Sequence, residues 1–134
     1  MKGDRILIDT SVWIEYFKNQ DKQFTGKVDQ LLTFSDVCVP KVVIAELLQG
    51  AKSEKEISVI EEFVEAFNIL DQFDDTWIKA GRLSFSMKRK GVTVNIVDCY
   101  IAVIASENNC KIFSLDEHFK SIRNFLKLEL IQTH

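Results

Sequence analysis

At 134 residues, with 46% hydrophobic content and ten Phe, the chain can fill one core of ordinary domain size, about 100 to 150 residues, and is too apolar to be a disordered segment. A net charge of -3 withholds the basic footprint of most nucleic-acid binders, so an anionic substrate would have to be met by local charge such as bound divalent cations. No stretch approaches the roughly 18 apolar residues of a membrane span, and Cys38, Cys99 and Cys110 sit in apolar runs as buried thiols of a reducing compartment; the expectation is one soluble, cytoplasmic domain over residues 1–134.

Ile6, Leu7 and Ile8 form a short apolar run that stops at Asp9, the pattern of a buried parallel strand. Thr10 or Ser11 then suits the cap of a helix through Trp13 and Phe17. Val37, Cys38 and Val39 predict a second strand ended by Pro40, which opens a helix over Val42 to Leu48 closed by Gly50. Ile57, Ile60, Val64 and Phe67 recur at helical spacing, and Ile69 and Leu70 follow as a short strand.

Trp77, Ala80, Leu83 or Ser84, and Met87 trace a further helix between Asp74 or Asp75 and Gly91. Another helix is predicted from Asp98 to about Asn108, then a strand over Lys111 to Ser114 and an edge strand over Leu128 to Ile131. Strands alternating with helices imply an α/β fold, a three-layer α/β/α sandwich around a mainly parallel sheet.

In such sheets ligands bind beyond the carboxyl ends of the strands, and Asp9 and Asp116 both stand there. Asp98 shares a helical stripe with Ile101, Ala102 and Ala105 and so starts the face that packs on the sheet. Glu46 lies in the nearly all-apolar segment Val42 to Leu48, where an isolated carboxylate would be costly. Each has a bland reading: Asp9, Asp98 and Asp116 as caps or turn residues, Glu46 as a partly exposed helix glutamate. If the four converge, two carboxylates about 5 Å apart repel by roughly 3 kcal/mol at an effective dielectric of about 20. Hard divalent cations such as Mg²⁺ or Mn²⁺ relieve that repulsion.

The segments Leu7-Ile8-Asp9-Thr10-Ser11-Val12-Trp13-Ile14, Ala45-Glu46-Leu47-Leu48-Gln49-Gly50, Val97-Asp98-Cys99-Tyr100-Ile101-Ala102 and Ser114-Leu115-Asp116-Glu117-His118-Phe119 together resemble the PIN-domain nucleases, in particular the VapC-type toxins of toxin–antitoxin pairs. The resemblance implies Asp9, Glu46, Asp98 and Asp116 as catalytic, metal-holding acids, with Ser11 and Ser114 as hydroxyl supports. Ser114 stands where family members often have Thr, which keeps the hydroxyl, and Asn95 falls in a segment variable in the family. It further implies Mg²⁺- or Mn²⁺-dependent hydrolysis of RNA, a cognate antitoxin and a homodimer. Asp9 and Asp98 are the first choices for direct ligands, with Glu46 and Asp116 completing the shell or holding a second ion.

Other readings fare less well. A receiver-type phosphoacceptor domain would want a Lys after a late strand, where Asp116 stands, and a haloacid-dehalogenase-type phosphatase would want an Asp at Ser11. A non-catalytic RNA-binding PIN module would be expected to have lost acids. Nucleophilic catalysis lacks partners: His134 is terminal and His118 reads as structural. Lys88, Arg89 and Lys90 suit a helix C-terminus, with RNA-backbone contact as the alternative. Trp13, Tyr16 and Phe17, with Leu47 and Leu48, could line an apolar groove beside the acids that receives an amphipathic antitoxin segment; core packing is the competing use, strongest for Trp13.

Overall fold

A computed structural model describes residues 3–132. Four strands, β1 (Arg5–Ile8), β2 (Asp36–Pro40), β3 (Asn68–Leu70) and β4 (Lys111–Phe113), form one sheet in the order β3-β2-β1-β4, and every pairing is parallel. Leu7 lies opposite Cys38 on one side and Ile112 on the other, so β1 is central, and Ile6, Leu7 and Ile8 are all buried as an apolar strand covered on both faces must be. The helices are α1 (Thr10–Lys18), α2 (Lys22–Phe34), α3 (Lys41–Gln49), α4 (Glu54–Val64), α5 (Thr76–Arg89), α6 (Ile96–Glu107) and α7 (His118–Ile122).

The helices fall into two packed groups. α1 contacts α2 and α3, and α3 contacts α4; separately, α6 contacts α5 and α7. With the sheet between them these are the layers expected of the α/β/α sandwich. α6 is buried without a break from Cys99 to Ala105, because its apolar residues occupy all sides of the helix rather than one stripe. Trp13 is fully buried, its indole N–H donating to the Ile8 carbonyl at 3.1 Å. Around it Tyr16, Phe17, Phe63 and Phe67 join α1 to α4 and the segment after it, with Phe63 edge-on to Trp13 at 5.4 Å. The three cysteines are buried and free.

Several local expectations change. α6 starts at Ile96, where Asn95 caps it by accepting from the Val97 N–H at 2.7 Å; Asp98 is therefore the third helical residue, not a cap, and its carboxylate is released for other partners. Thr10 and Ser11 lie inside α1 rather than capping it. Two helices absent from the sequence reading, α2 and α7, are present. Asp21 caps α2 through the Gln23 and Phe24 N–H groups, and Phe24, Val28, Leu31 and Leu32 form its inner stripe. The run Leu128 to Ile131 forms a single parallel bridge, Ile112 with Leu130, beside β4 rather than a full edge strand.

Candidate active site

In the order β3-β2-β1-β4 the chain builds outward from β1 through β2 to β3 and then returns to the other side of β1. The crevice where this order reverses opens between the carboxyl ends of β1 and β4, the place where open parallel sheets bind ligands. Ile8 pairs with Phe113, so the residues that follow them, Asp9 and Ser114, are brought side by side, and the Asp9 N–H donates to the Phe113 carbonyl at 3.0 Å.

Asp9 is only 4% exposed. Its Oδ2 accepts from Ser11 Oγ at 2.9 Å and from Ser114 Oγ at 2.7 Å. Those hydroxyls in turn accept from the Leu115 N–H at 3.0 Å and the Asp116 N–H at 2.9 Å. Each hydroxyl has one proton, and both are directed at Asp9, so the 3.3 Å approach of the two oxygens is proximity rather than a bond. The carboxylate thereby holds the 114–116 turn against the start of α1, which places Asp116.

Asp98 reaches the same crevice from α6. His118 Nδ1 lies 3.0 Å from Asp98 Oδ2 and 3.0 Å from Asp116 Oδ1, and the His118 backbone N–H donates to Asp116 Oδ1 at 2.9 Å. Burial pushes the Asp98 carboxyl up to about 6; the His118 hydrogen bond opposes this, while the negative charges of Asp116 and Asp9 add to it. His118 is raised above its ordinary value, first by its hydrogen bond to Asp98 and then by the charge of Asp116. The imidazole thus acts as a counter-charge inside the acid cluster. The sequence alone suggests a structural His118; the structure places it within the acid cluster, and the Asp-x-His spacing from Asp116, placed after a strand end, is the sequence signal for it.

Asp98, Asp116 and His118 each present a ligand atom, all within 4.8 Å of one another. The two carboxylates, with a third at Asp9 close enough to raise Asp98, make an oxygen donor set suited to a hard divalent cation, while the imidazole, raised by its acid neighbours, stands among them as a counter-charge. Glu46 stands apart from that group. It is half-buried on α3 and its Oε1 accepts from Thr10 Oγ1 at 2.7 Å, so the residue directly after Asp9 ties it to the rim of the site. Lys88, Arg89 and Lys90 are exposed around the C-terminus of α5, where Arg89 lies over the Phe85 ring at 5.6 Å. His134 lies outside the described residues.

A cluster of acids at the switch point of a parallel α/β sheet, with Asp9 buried and Asp98 and Asp116 half-buried, is an arrangement suited to metal-assisted hydrolysis of phosphate esters. The model of the PIN domain family matches residues 6–124, and the chain belongs to that family. It is 26% identical over 123 residues to ribonuclease VapC1 of Methanocaldococcus jannaschii, covering 90% of this chain and 83% of that protein. It is 29% identical over 130 residues to ribonuclease VapC11 of Mycobacterium tuberculosis, covering 92% and 96%. A chain of the DNA-bound VapBC crystal structure from Salmonella typhimurium superposes with a TM-score of 0.80 at 22% identity, covering 98% of this chain and 100% of that one. A chain of FitAcB from Neisseria gonorrhoeae does so with a TM-score of 0.76 at 21% identity, covering 96% and 97%. These two likenesses establish the shared fold.

Proposed function

We propose that the chain is a VapC-type PIN ribonuclease, a metal-dependent endonuclease that hydrolyses RNA phosphodiester bonds and serves as the toxin of a VapBC-type toxin–antitoxin pair. The observation that carries the chemistry is the meeting of Asp9, Asp98 and Asp116 in one crevice, where burial first, and then the negative charges of Asp116 and Asp9, push Asp98 up to about 6. Carboxylates gathered in this way repel unless a cation is shared among them. Asp9, Asp98 and Asp116 are the residues that would hold Mg²⁺ or Mn²⁺, and Glu46 would complete the shell or take part in holding a second ion. A divalent cation there would supply Lewis acidity at the phosphate and lower the pKa of an attacking water.

The chain's own residues set the geometry. Ser11 and Ser114 fix the Asp9 carboxylate through Oδ2, and Asp9 Oδ1 takes no hydrogen bond among the described residues, which leaves it free for a ligand. Thr10 orients Glu46 toward the same rim. His118 offsets negative charge before a cation arrives and holds Asp98 and Asp116 together. The function test is cleavage of RNA by purified protein: cutting that requires Mg²⁺ or Mn²⁺ and disappears in Asp9→Asn supports the reading, and full cutting after exhaustive EDTA treatment overturns it.

The partner is a cognate antitoxin, and the family likeness also implies a cytoplasmic homodimer. Among the described residues no helix is long and apolar enough to cross a membrane. Trp13 and Leu47 are core residues, 0% and 5% exposed, so they are not anchors for the antitoxin. Ile14, Phe17 and Val59, all exposed on α1 and α4, remain as the apolar contact for an amphipathic antitoxin segment. Ile78 and Phe85, exposed one above the other on α5 at a spacing of two turns, form the helix face that a second copy would cover.

A further inference from the structure

Beside the acid cluster, between the end of β4, α7 and residues 130–132, lies a cavity of about 270 Å³. Asp116 and Ser114 stand at one end of it, where it meets the crevice already described. Its lining is mixed. Leu115, 38% exposed, with the half-buried Leu130 and Ile131, supplies apolar surface, and Lys120 and Arg123 on and just after α7 supply cations beside the acids Asp116 and Glu117.

The cations and acids follow one another along the same stretch of chain. Lys120 lies within α7, Asp116 just before that helix and Arg123 just after it, so the three line the cavity from one short segment. Lys120 pairs with Glu117, another lining residue, at 2.9 Å; the pair is exposed and weak enough for a phosphate to take the place of the carboxylate. A ligand suited to this cavity has an anionic group for the cations, a flat apolar part for the Leu115 wall, and a second anionic group reaching the metal-holding acids. A nucleotide within a strand has all three. The size, just under the roughly 300 Å³ where pockets for whole small molecules begin, suits one base with its phosphate and excludes a helix.

Resting on the ribonuclease reading above, we propose that this cavity is the subsite for the nucleotide adjoining the cleaved bond. Its base lies on Leu115, Leu130 and Ile131, and its outer phosphate lies between Lys120 and Arg123. It would then fix which bond of the strand is presented to the acids. Base preference at that one position arises from the shape of the apolar wall.

The test uses the full chain with Ca²⁺ in place of Mg²⁺, so that strand is held with little cutting. Binding of fluorescein-labelled single-stranded RNA is followed by anisotropy, with one abasic residue walked along the strand. In the wild type, loss of the base at one position is expected to weaken binding about tenfold, as for some 50 Å² of apolar contact. Leu115→Asp, at an exposed position, removes that dip. Arg123→Gln lowers the slope of log affinity against log salt by about 0.7, the value for one single-strand phosphate contact. An abasic profile identical in wild type and Leu115→Asp, or an unchanged salt slope in Arg123→Gln, overturns the proposal. It is equally overturned if both variants leave RNA binding intact but weaken binding of the antitoxin, which would make the occupant a peptide. A wild type that shows these binding differences yet cuts no RNA in Mg²⁺ would instead overturn the nuclease reading, and with it the cleaved bond, and leave the cavity as a nucleotide-binding site only.

Discussion

Asp98→Asn separates the two consequences of burying a carboxylate beside other acids, strain in the metal-free chain and the capacity to bind metal. Asp98 has an ordinary value of 3.8 in the unfolded chain and is pushed up to about 6 in the folded one. A carboxyl whose folded pKa is raised loses stability as pH rises from its unfolded value through its folded one. Above pH 6 the whole loss is present, about 3 kcal/mol at roughly 1.4 kcal/mol per tenfold change. The Asp98 side chain keeps 15% of its exposure, and a buried amide carries its own desolvation cost, so the expected net gain for Asn at pH 8 in EDTA is about 1 to 3 kcal/mol. For a chain of this length that raises Tm by roughly 4 to 10 °C. Thermal melts at pH 8 and pH 4.5, each with EDTA and with excess Mg²⁺, are the assay. The variant should melt higher in EDTA at pH 8, the gap should shrink at pH 4.5 where wild-type Asp98 is protonated, and Mg²⁺ should stabilise the wild type far more than the variant. A variant that melts below the wild type in EDTA at pH 8, or a gap of the same size at both pH values, would refute the electrostatic account.

Metal binding should release protons near pH 6, since a cation competes with the proton on Asp98 and with the raised charge on His118; calorimetry in buffers of different ionisation enthalpy measures this, and metal affinity should rise with pH through that range. Ca²⁺ should support cleavage poorly where Mn²⁺ restores it after chelation, because its looser coordination positions water less well; equal rates with the two ions would argue against the proposed chemistry. Ser114→Ala removes both the hydrogen bond to Asp9 and the acceptor for the Asp116 N–H, and cleavage should fall about tenfold or more, while Ser114→Thr, which retains the hydroxyl, should recover most of it. Phe17→Glu should weaken antitoxin binding by at least about tenfold while leaving RNA cleavage by the free protein nearly unchanged; unchanged affinity in a titration would place the antitoxin elsewhere. Trp13→Ala should cost about 3 to 5 kcal/mol in chemical denaturation, given its full burial.

Local pattern carried much of the fold. Ile6 to Ile8, Val37 to Val39 and Ile112 to Phe113 are short apolar runs between helical periods, and an all-parallel sheet is the arrangement that buries such runs on both faces. The candidate acids Asp9, Glu46, Asp98 and Asp116 are likewise legible by position: two follow strand ends, and two sit on helices whose neighbours are apolar. α2 escaped because its inner stripe is thin, with Val28 its one buried residue, and α7 because its five residues are too few to show a period.

The distances at the site depend on the sheet order. Nothing in the stretch around Asp9 says that β4 lies beside β1, yet only that pairing brings Ser114 to its carboxylate from 105 residues away. The same register lets His118 stand between Asp116 and Asp98, turning an unremarkable surface histidine into a counter-charge within the acid cluster. Trp13 and Leu47 show the converse: an apolar residue is equally suited to core or groove by composition, and only the packing of α1 on α3 and α4 decided that both are core. Sequence specifies which groups are available and on which face of an element they emerge. Charge coupling and hydrogen bonding fall off over a few ångströms, so which groups act together is settled where tertiary contacts close long loops.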